Sequence, residues 1–152
     1  MSADYPSMTT AEIRSKFLNF FEERGLKLYP SSSLVPDDPS LLLANAGMNQ
    51  FKEYYQGKKT MKEIGAISCQ KCVRTNDIDC IGEDGRHLSF FEMLGDFSFG
   101  GVSKQQACAW AFELITKEFK LPLDRLYFTV FTEDDETHDV WRSLGVAEDH
   151  IS

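Results

Sequence analysis

At 152 residues, with 42% hydrophobic and 12% aromatic residues, the chain has the length of one ordinary domain and enough apolar material to bury a core. Twelve Phe against ten Gly and five Pro argue against a disordered, collagen-like or coiled-coil chain. A net charge of −8 and a pI near 4.8 exclude a wholesale basic, phosphate-tracking surface, so any nucleic-acid contact is local or lies outside this segment.

Residues 1–9 read as a flexible N-terminal extension, without the basic patch and apolar run of a secretory signal. Thr9 and Glu12 have capping-box spacing, and Ile13, Phe17, Phe20 and Phe21 recur at helical intervals until Gly25, so a helix is expected over 10–24. Residues 26–29 read as a short strand, 30–33 and 37–39 as turns, and the apolar run 41–44 as a buried strand. Residues 48–55 suit a short helix stopped by Gly57, and the basic stretch 58–62 a solvated loop.

A strand over 66–74, a polar, acidic loop over 76–85 and a strand over 86–94 together predict an antiparallel hairpin. Ser103 and Gln106 repeat the capping-box spacing, with Ala107, Trp110, Ala111, Leu114 and Phe119 as the apolar face of a helix reaching Lys120. Residues 126–131 read as a strand, and Glu133, Asp134, Asp135 and Glu136 open a last helix that ends at Gly145. The fold class is α+β with an antiparallel sheet.

Three stretches carry the chemistry. They are Ser31-Ser32-Ser33-Leu34-Val35-Pro36 with Leu41-Leu42-Leu43-Ala44-Asn45-Ala46-Gly47-Met48-Asn49-Gln50-Phe51-Lys52; Ser68-Cys69-Gln70-Lys71-Cys72-Val73-Arg74; and Arg86-His87-Leu88-Ser89-Phe90-Phe91-Glu92-Met93-Leu94-Gly95-Asp96-Phe97-Ser98-Phe99-Gly100. In this order they resemble the first and second signatures of class II aminoacyl-tRNA synthetases, in the form used by the alanine-specific family. The likeness runs from about Thr10 to Ile151 and includes Phe131-Thr132-Glu133-Asp134-Asp135-Glu136 with Trp141.

The resemblance implies that residues 10–152 are the N-terminal portion of a catalytic domain built on a class II antiparallel sheet flanked by helices, here incomplete. It implies an alanine–tRNA ligase. Alanine and ATP, as its Mg2+ complex, give alanyl-adenylate, and the alanyl group passes to tRNA(Ala). Charge builds on the phosphate oxygens during that attack, and a planar guanidinium answers it better than an ammonium. Arg74 is accordingly the expected catalytic and ATP-binding residue, and it also faces the alanine carboxylate. Phe90 and Phe91 point to opposite faces of a strand, so one of them can stack on adenine. The resemblance favours Phe91, with Met93 on the same face beside it, and leaves Phe90 to the core.

Arg86 and His87 stand at the mouth of the hairpin, where the family places a basic residue near the terminal phosphates; His87 reads equally as a solvated loop histidine. Met48 is expected to help size the alanine pocket with its pliable thioether. Three departures stand out: a short loop over 75–82, resembling the actinobacterial form and without the family's usual lysine; Leu88 at the position of a second histidine; and Asp96 where asparagine is common, which would change the charge near ATP.

The four cysteines read as free thiols, and Cys69 and Cys72 supply only two ligands, so no metal site is expected. The family's zinc belongs to a later editing region. Glu133, Asp134, Asp135 and Glu136 suit a helix N-terminus better than a magnesium site. A cytoplasmic location without membrane contact is expected, since no stretch reaches the roughly 18 apolar residues of a span. The sequence leaves the oligomeric state open. The third class II signature, with its second ATP-binding arginine, does not appear after Val130. Three readings follow: a fragment of a synthetase, inactive or weakly ATP-binding alone; an ATP-binding relic; or a non-catalytic paralogue that pairs with another chain.

Overall fold

A computed structural model describes residues 7–76 and 78–152. The expected flexible extension lies largely in residues 1–6, outside the described residues, whereas Thr9 is the first capping residue of a helix. The chain divides into two compact units, Phe17–Gly101 and Val102–Ser152, the second joined by the chain up to Lys16.

Helix α1, Thr10–Glu22, starts where the capping box puts it. Glu12 N–H donates to Thr9 Oγ1 at 3.3 Å, and Thr9 N–H donates to the Glu12 carboxylate at 2.7 Å. The helix stops two residues before the expected end, and Gly25 at φ 88° carries the chain out of it. Its apolar stripe, Phe17, Phe20 and Phe21, is buried, with edge-on ring pairs at 5.0 Å.

Strands β1 (Lys27–Leu28), β2 (Gly65–Val73) and β3 (Phe90–Ser98) form a sheet in the order β1-β2-β3. The hairpin pairs antiparallel from Gly65 with Ser98 to Val73 with Phe90, but β1 runs parallel to β2, so the sheet is mixed rather than wholly antiparallel. The α+β class stands. As the central strand, β2 buries Gly65, Ala66, Ile67, Ser68, Gln70 and Cys72.

Strand β3 begins four residues after the expected Arg86 and extends past Leu94 to Ser98. The Asp84 carboxylate accepts the N–H groups of Arg86 and His87, and this local turn takes them out of the ladder. Phe90 is 54% exposed, not part of the core.

The expected strand over 41–44 is also absent. Asp38 accepts the Ser40 N–H through its side chain and the Leu41 N–H through its backbone, folding the segment into bends. Leu42 is 89% exposed and Ala44 alone is buried. A 3-10 turn, Gly47–Phe51, leads into the short helix α2, Lys52–Tyr55.

In the second unit α3 (Lys104–Glu113) is capped by Ser103, whose Oγ accepts the Gln106 N–H at 3.2 Å. It continues as a π-helical turn over Leu114–Glu118, and Lys120 at φ 54° ends it. The buried positions are Cys108 and Leu114, while Ala107, expected on the apolar face, is exposed. Helix α4, Asp135–Ser143, is capped by Asp134. The strand expected over 126–131 is reduced to one parallel bridge, Phe128 with Ile151, with the Phe128 N–H on His150 O and the Ser152 N–H on Phe128 O.

Candidate active site

Side chains alternate along a strand, so the register puts Ser68, Gln70 and Cys72 of β2 on one face with Gly95, Met93 and Phe91 of β3. Arg74 follows directly after β2. Its N–H donates to Ser89 O at 2.9 Å, extending the ladder by one bond, and its Nε donates to Asn45 O at 2.9 Å. The guanidinium carbon lies 5.3 Å from the centre of the Phe91 ring.

Arg74, Phe91, Arg86 and His87 line one open cavity of about 340 Å3, together with Ile81 and Leu88. A flat ring, a planar cation and two further nitrogen-bearing side chains therefore face the same space. Such a set suits an aromatic, anionic ligand of the nucleotide type. Arg86 and His87 are placed by Asp84, which accepts their N–H groups at 2.9 and 3.0 Å and also meets the His87 Nδ1. The two backbone N–H groups, and then the imidazole, hold the Asp84 carboxyl down at about 2.

Two expected site residues lie elsewhere. Met93 shares the face of Phe91, but its Sδ accepts the Gly47 N–H at 3.2 Å and it does not line the cavity. Met48 is 46% exposed and is not among the residues around that cavity either. Asp96 falls on the strand face opposite Phe91 and Met93, so its charge is not presented with them; desolvation pushes its carboxyl up. The acids after Phe131 form a helix cap. Asp134 accepts the Thr137 N–H at 3.1 Å and pairs with Lys104 at 2.8 Å, which with the Thr137 bonds holds its carboxyl at about 2.

A family model described as "tRNA synthetases class II (A)" matches residues 12–152. The chain belongs to the class II (A) tRNA synthetases. It is 52% identical over 140 residues to the chloroplastic/mitochondrial alanine–tRNA ligase of Sorghum bicolor, covering 91% of this chain and 15% of that protein. Against the alanine–tRNA ligase of Fervidobacterium nodosum the identity is 49% over 144 residues, 95% of this chain and 17% of the relative. Against that of Synechocystis sp. it is 51% over 152 residues, 99% of this chain and 17% of the relative. The chain thus spans about a sixth of the length of these relatives.

Three groups in this synthetase chain escaped the sequence reading. The Asn45 carbonyl is a backbone atom and leaves no mark in a sequence. Asp84 carried a signal, an aspartate followed by glycine two residues before His87, that marks a turn able to bond the next N–H groups. Gln70, fully buried in the middle of β2, is the third. A second and larger cavity of the synthetase chain, about 560 Å3, lies between Ser33–Pro39 and Asn49–Lys59 and contains the Asp38–Lys52 ion pair. Residues of the first stretch, among them Ser33, Pro36, Asn49 and Lys52, line it, but none of Arg74, Phe91, Arg86, His87, Met93 and Met48 does.

Proposed function

We propose that this chain supplies the adenine- and α-phosphate-binding part of an alanine–tRNA ligase, acting in the cytoplasm on alanine and ATP, with Mg2+ arriving as part of the ATP complex. The observation that carries this reading is Arg74 held at Nε by Asn45 O and set over Phe91, on the cavity that Arg86 and His87 share. Adenine stacks on Phe91. An oxygen of the alanine carboxylate attacks the α-phosphorus, the bond from that phosphorus to the bridging oxygen of pyrophosphate breaks, and pyrophosphate leaves.

Through this attack the Arg74 fork steadies the charge on the α-phosphate oxygens and on the incoming carboxylate. Arg86 and His87 meet the outer phosphates. Met48 stands beside the alanine pocket as an exposed, adaptable side chain. Transfer to tRNA(Ala), the tRNA contacts and any zinc-dependent editing belong to segments of the ligase beyond this one, since the acidic balance of the chain offers no basic stripe.

The test is ATP-induced stabilisation of the chain in magnesium buffer, followed by thermal melting and by calorimetric titration. Wild type is expected to bind and Arg74→Ala to bind roughly 10- to 100-fold more weakly, the cost of one charged hydrogen-bond partner. Equal shifts in both proteins would remove Arg74 from the site. Absence of binding in wild type would show that this segment does not hold ATP by itself.

A further inference from the structure

Gln70 has no part in the reading above, yet its side chain is 0% exposed in the middle of β2. Burying a primary amide is unfavourable unless its donors and acceptor are met. Here they are. Its Oε1 accepts from Ser32 N at 2.9 Å, Ser32 Oγ at 3.1 Å and Gln50 Nε2 at 3.2 Å. Its Nε2 donates to Ser32 O at 3.2 Å and to Lys71 O at 2.8 Å.

The amide therefore grips the chain at Ser32 and again at Gln50, and Asn45 lies between those two points. Met93, the direct cross-strand partner of Gln70, takes the Gly47 N–H on its sulfur. The Val73 N–H donates to Ala44 O at 2.9 Å. Residues 44–50 are thus seated on the hairpin at three places, two of them on the Gln70–Met93 pair.

The seat leaves little slack. A Cβ built on Gly47 would stand 3.2 Å from Phe97 Cζ, 3.7 Å from Gln70 Cβ and 3.8 Å from Met93 Sδ. The turn that it holds, Gly47–Phe51, is a 3-10 helix, whose own hydrogen bonds are too weakly aligned to fix a neighbouring carbonyl unaided.

We propose that Gln70, with Met93 beside it, is the positioning residue of Arg74. It seats residues 44–50 so that the Asn45 carbonyl fixes the plane of the guanidinium at the cavity wall. This rests on the reading of Arg74 as the phosphate and carboxylate ligand, but the held guanidinium is a property of the ligand-free chain and is measured without ATP.

The experiment is hydrogen exchange of the Arg74 Nε–H by NMR in the ligand-free chain, with the β2 backbone amides as the monitor of folding. In Gln70→Leu, and in the double variant Ser32→Ala with Gln50→Ala, the β2 amides are expected to stay protected. The Arg74 Nε–H is expected to exchange roughly fivefold faster, as for the loss of one hydrogen bond of ordinary strength. Exchange within about twofold of wild type in either folded variant would overturn the proposal. If Gln70→Leu does not fold, the double variant decides by the same criterion, because it keeps the Gln70 side chain with its bonds to the Ser32 backbone and Lys71 O and removes the Gln50 contact that seats residues 44–50. A wild type that protects the Arg74 Nε–H but binds no ATP would overturn the phosphate reading and leave the positioning role standing.

Discussion

The two walls of the Arg74 cavity are built in opposite ways. The strand wall, Arg74 with Phe91, rests on contacts between residues far apart in sequence: Asn45 with Arg74, Gly47 with Met93, and Ser32 and Gln50 with Gln70. The loop wall, Arg86 with His87, rests on Asp84, a residue two and three positions away. Long-range contacts in a packed sheet are lost only when the unit itself opens, whereas a local side-chain turn comes and goes with its loop. One wall presents its cation already oriented. The other presents its charge from a loop, and its orientation depends on a single carboxylate.

The contrast breaks most visibly at the strand wall. A Cβ at Gly65 would stand 2.4 Å from Phe97 O, a backbone atom of the opposing strand, and 3.3 Å from Leu26 Cγ. Gly65→Ala is therefore expected to lower unfolding free energy by about 1–3 kcal/mol in urea titration, the usual cost of overpacking. An unchanged midpoint would mean that β2 and β3 part easily, and the strand wall would lose its claim to rigidity.

A smaller effect is expected at the loop wall. Arg86→Gln removes an exposed charge, and ATP affinity measured by calorimetry should fall only about two- to fivefold, in line with exposed charge pairs. A loss as large as that of Arg74→Ala would erase the difference between the walls.

The smallest effect is a titration. The Asp84 carboxyl is held at about 2, below its ordinary 3.8. Depression of a carboxylate means that its contribution is complete above the ordinary value and is lost as pH falls through the lowered one. The backbone amide resonances of Arg86 and His87 are expected to shift with a midpoint near 2, and Asp84→Asn to abolish that titration. A midpoint near 3.8 would show that the loop wall is not held by this group.

Much of this was legible in the sequence, and the parts that were not share a cause. Thr9 with Glu12, Ser103 with Gln106, and the glycines at 25 and 145 announce helix ends because capping and positive φ are local chemistry. The hairpin and the meeting of Arg74 with Phe91 follow from strand periodicity and from the resemblance. The start of β3 was misplaced because an apolar stretch says nothing of the Asp84 turn that competes for its first N–H groups. The run 41–44 looked like a buried strand for the same reason, and Asp38 kept it from being one.

Within the site, Arg74, Phe91, Arg86 and His87, named for ATP from the resemblance, line one cavity. Met93 and Met48 do not, and what holds Arg74 in place is a carbonyl and a buried amide. Neither announces itself in a string of letters, since an asparagine backbone is like any other and a glutamine in a strand reads as a surface residue until the segment that covers it is known.

The ladder of the hairpin closes with the Arg74 N–H on Ser89 O, and residues 75–88 lie beyond that bond. Their length is thereby uncoupled from the register of β2 and β3. Doubling such a loop costs only about 0.6 kcal/mol in closure entropy. The tip of the hairpin is a module that evolution or an engineer can lengthen, shorten or re-equip with charge while Arg74 and Phe91 keep their places.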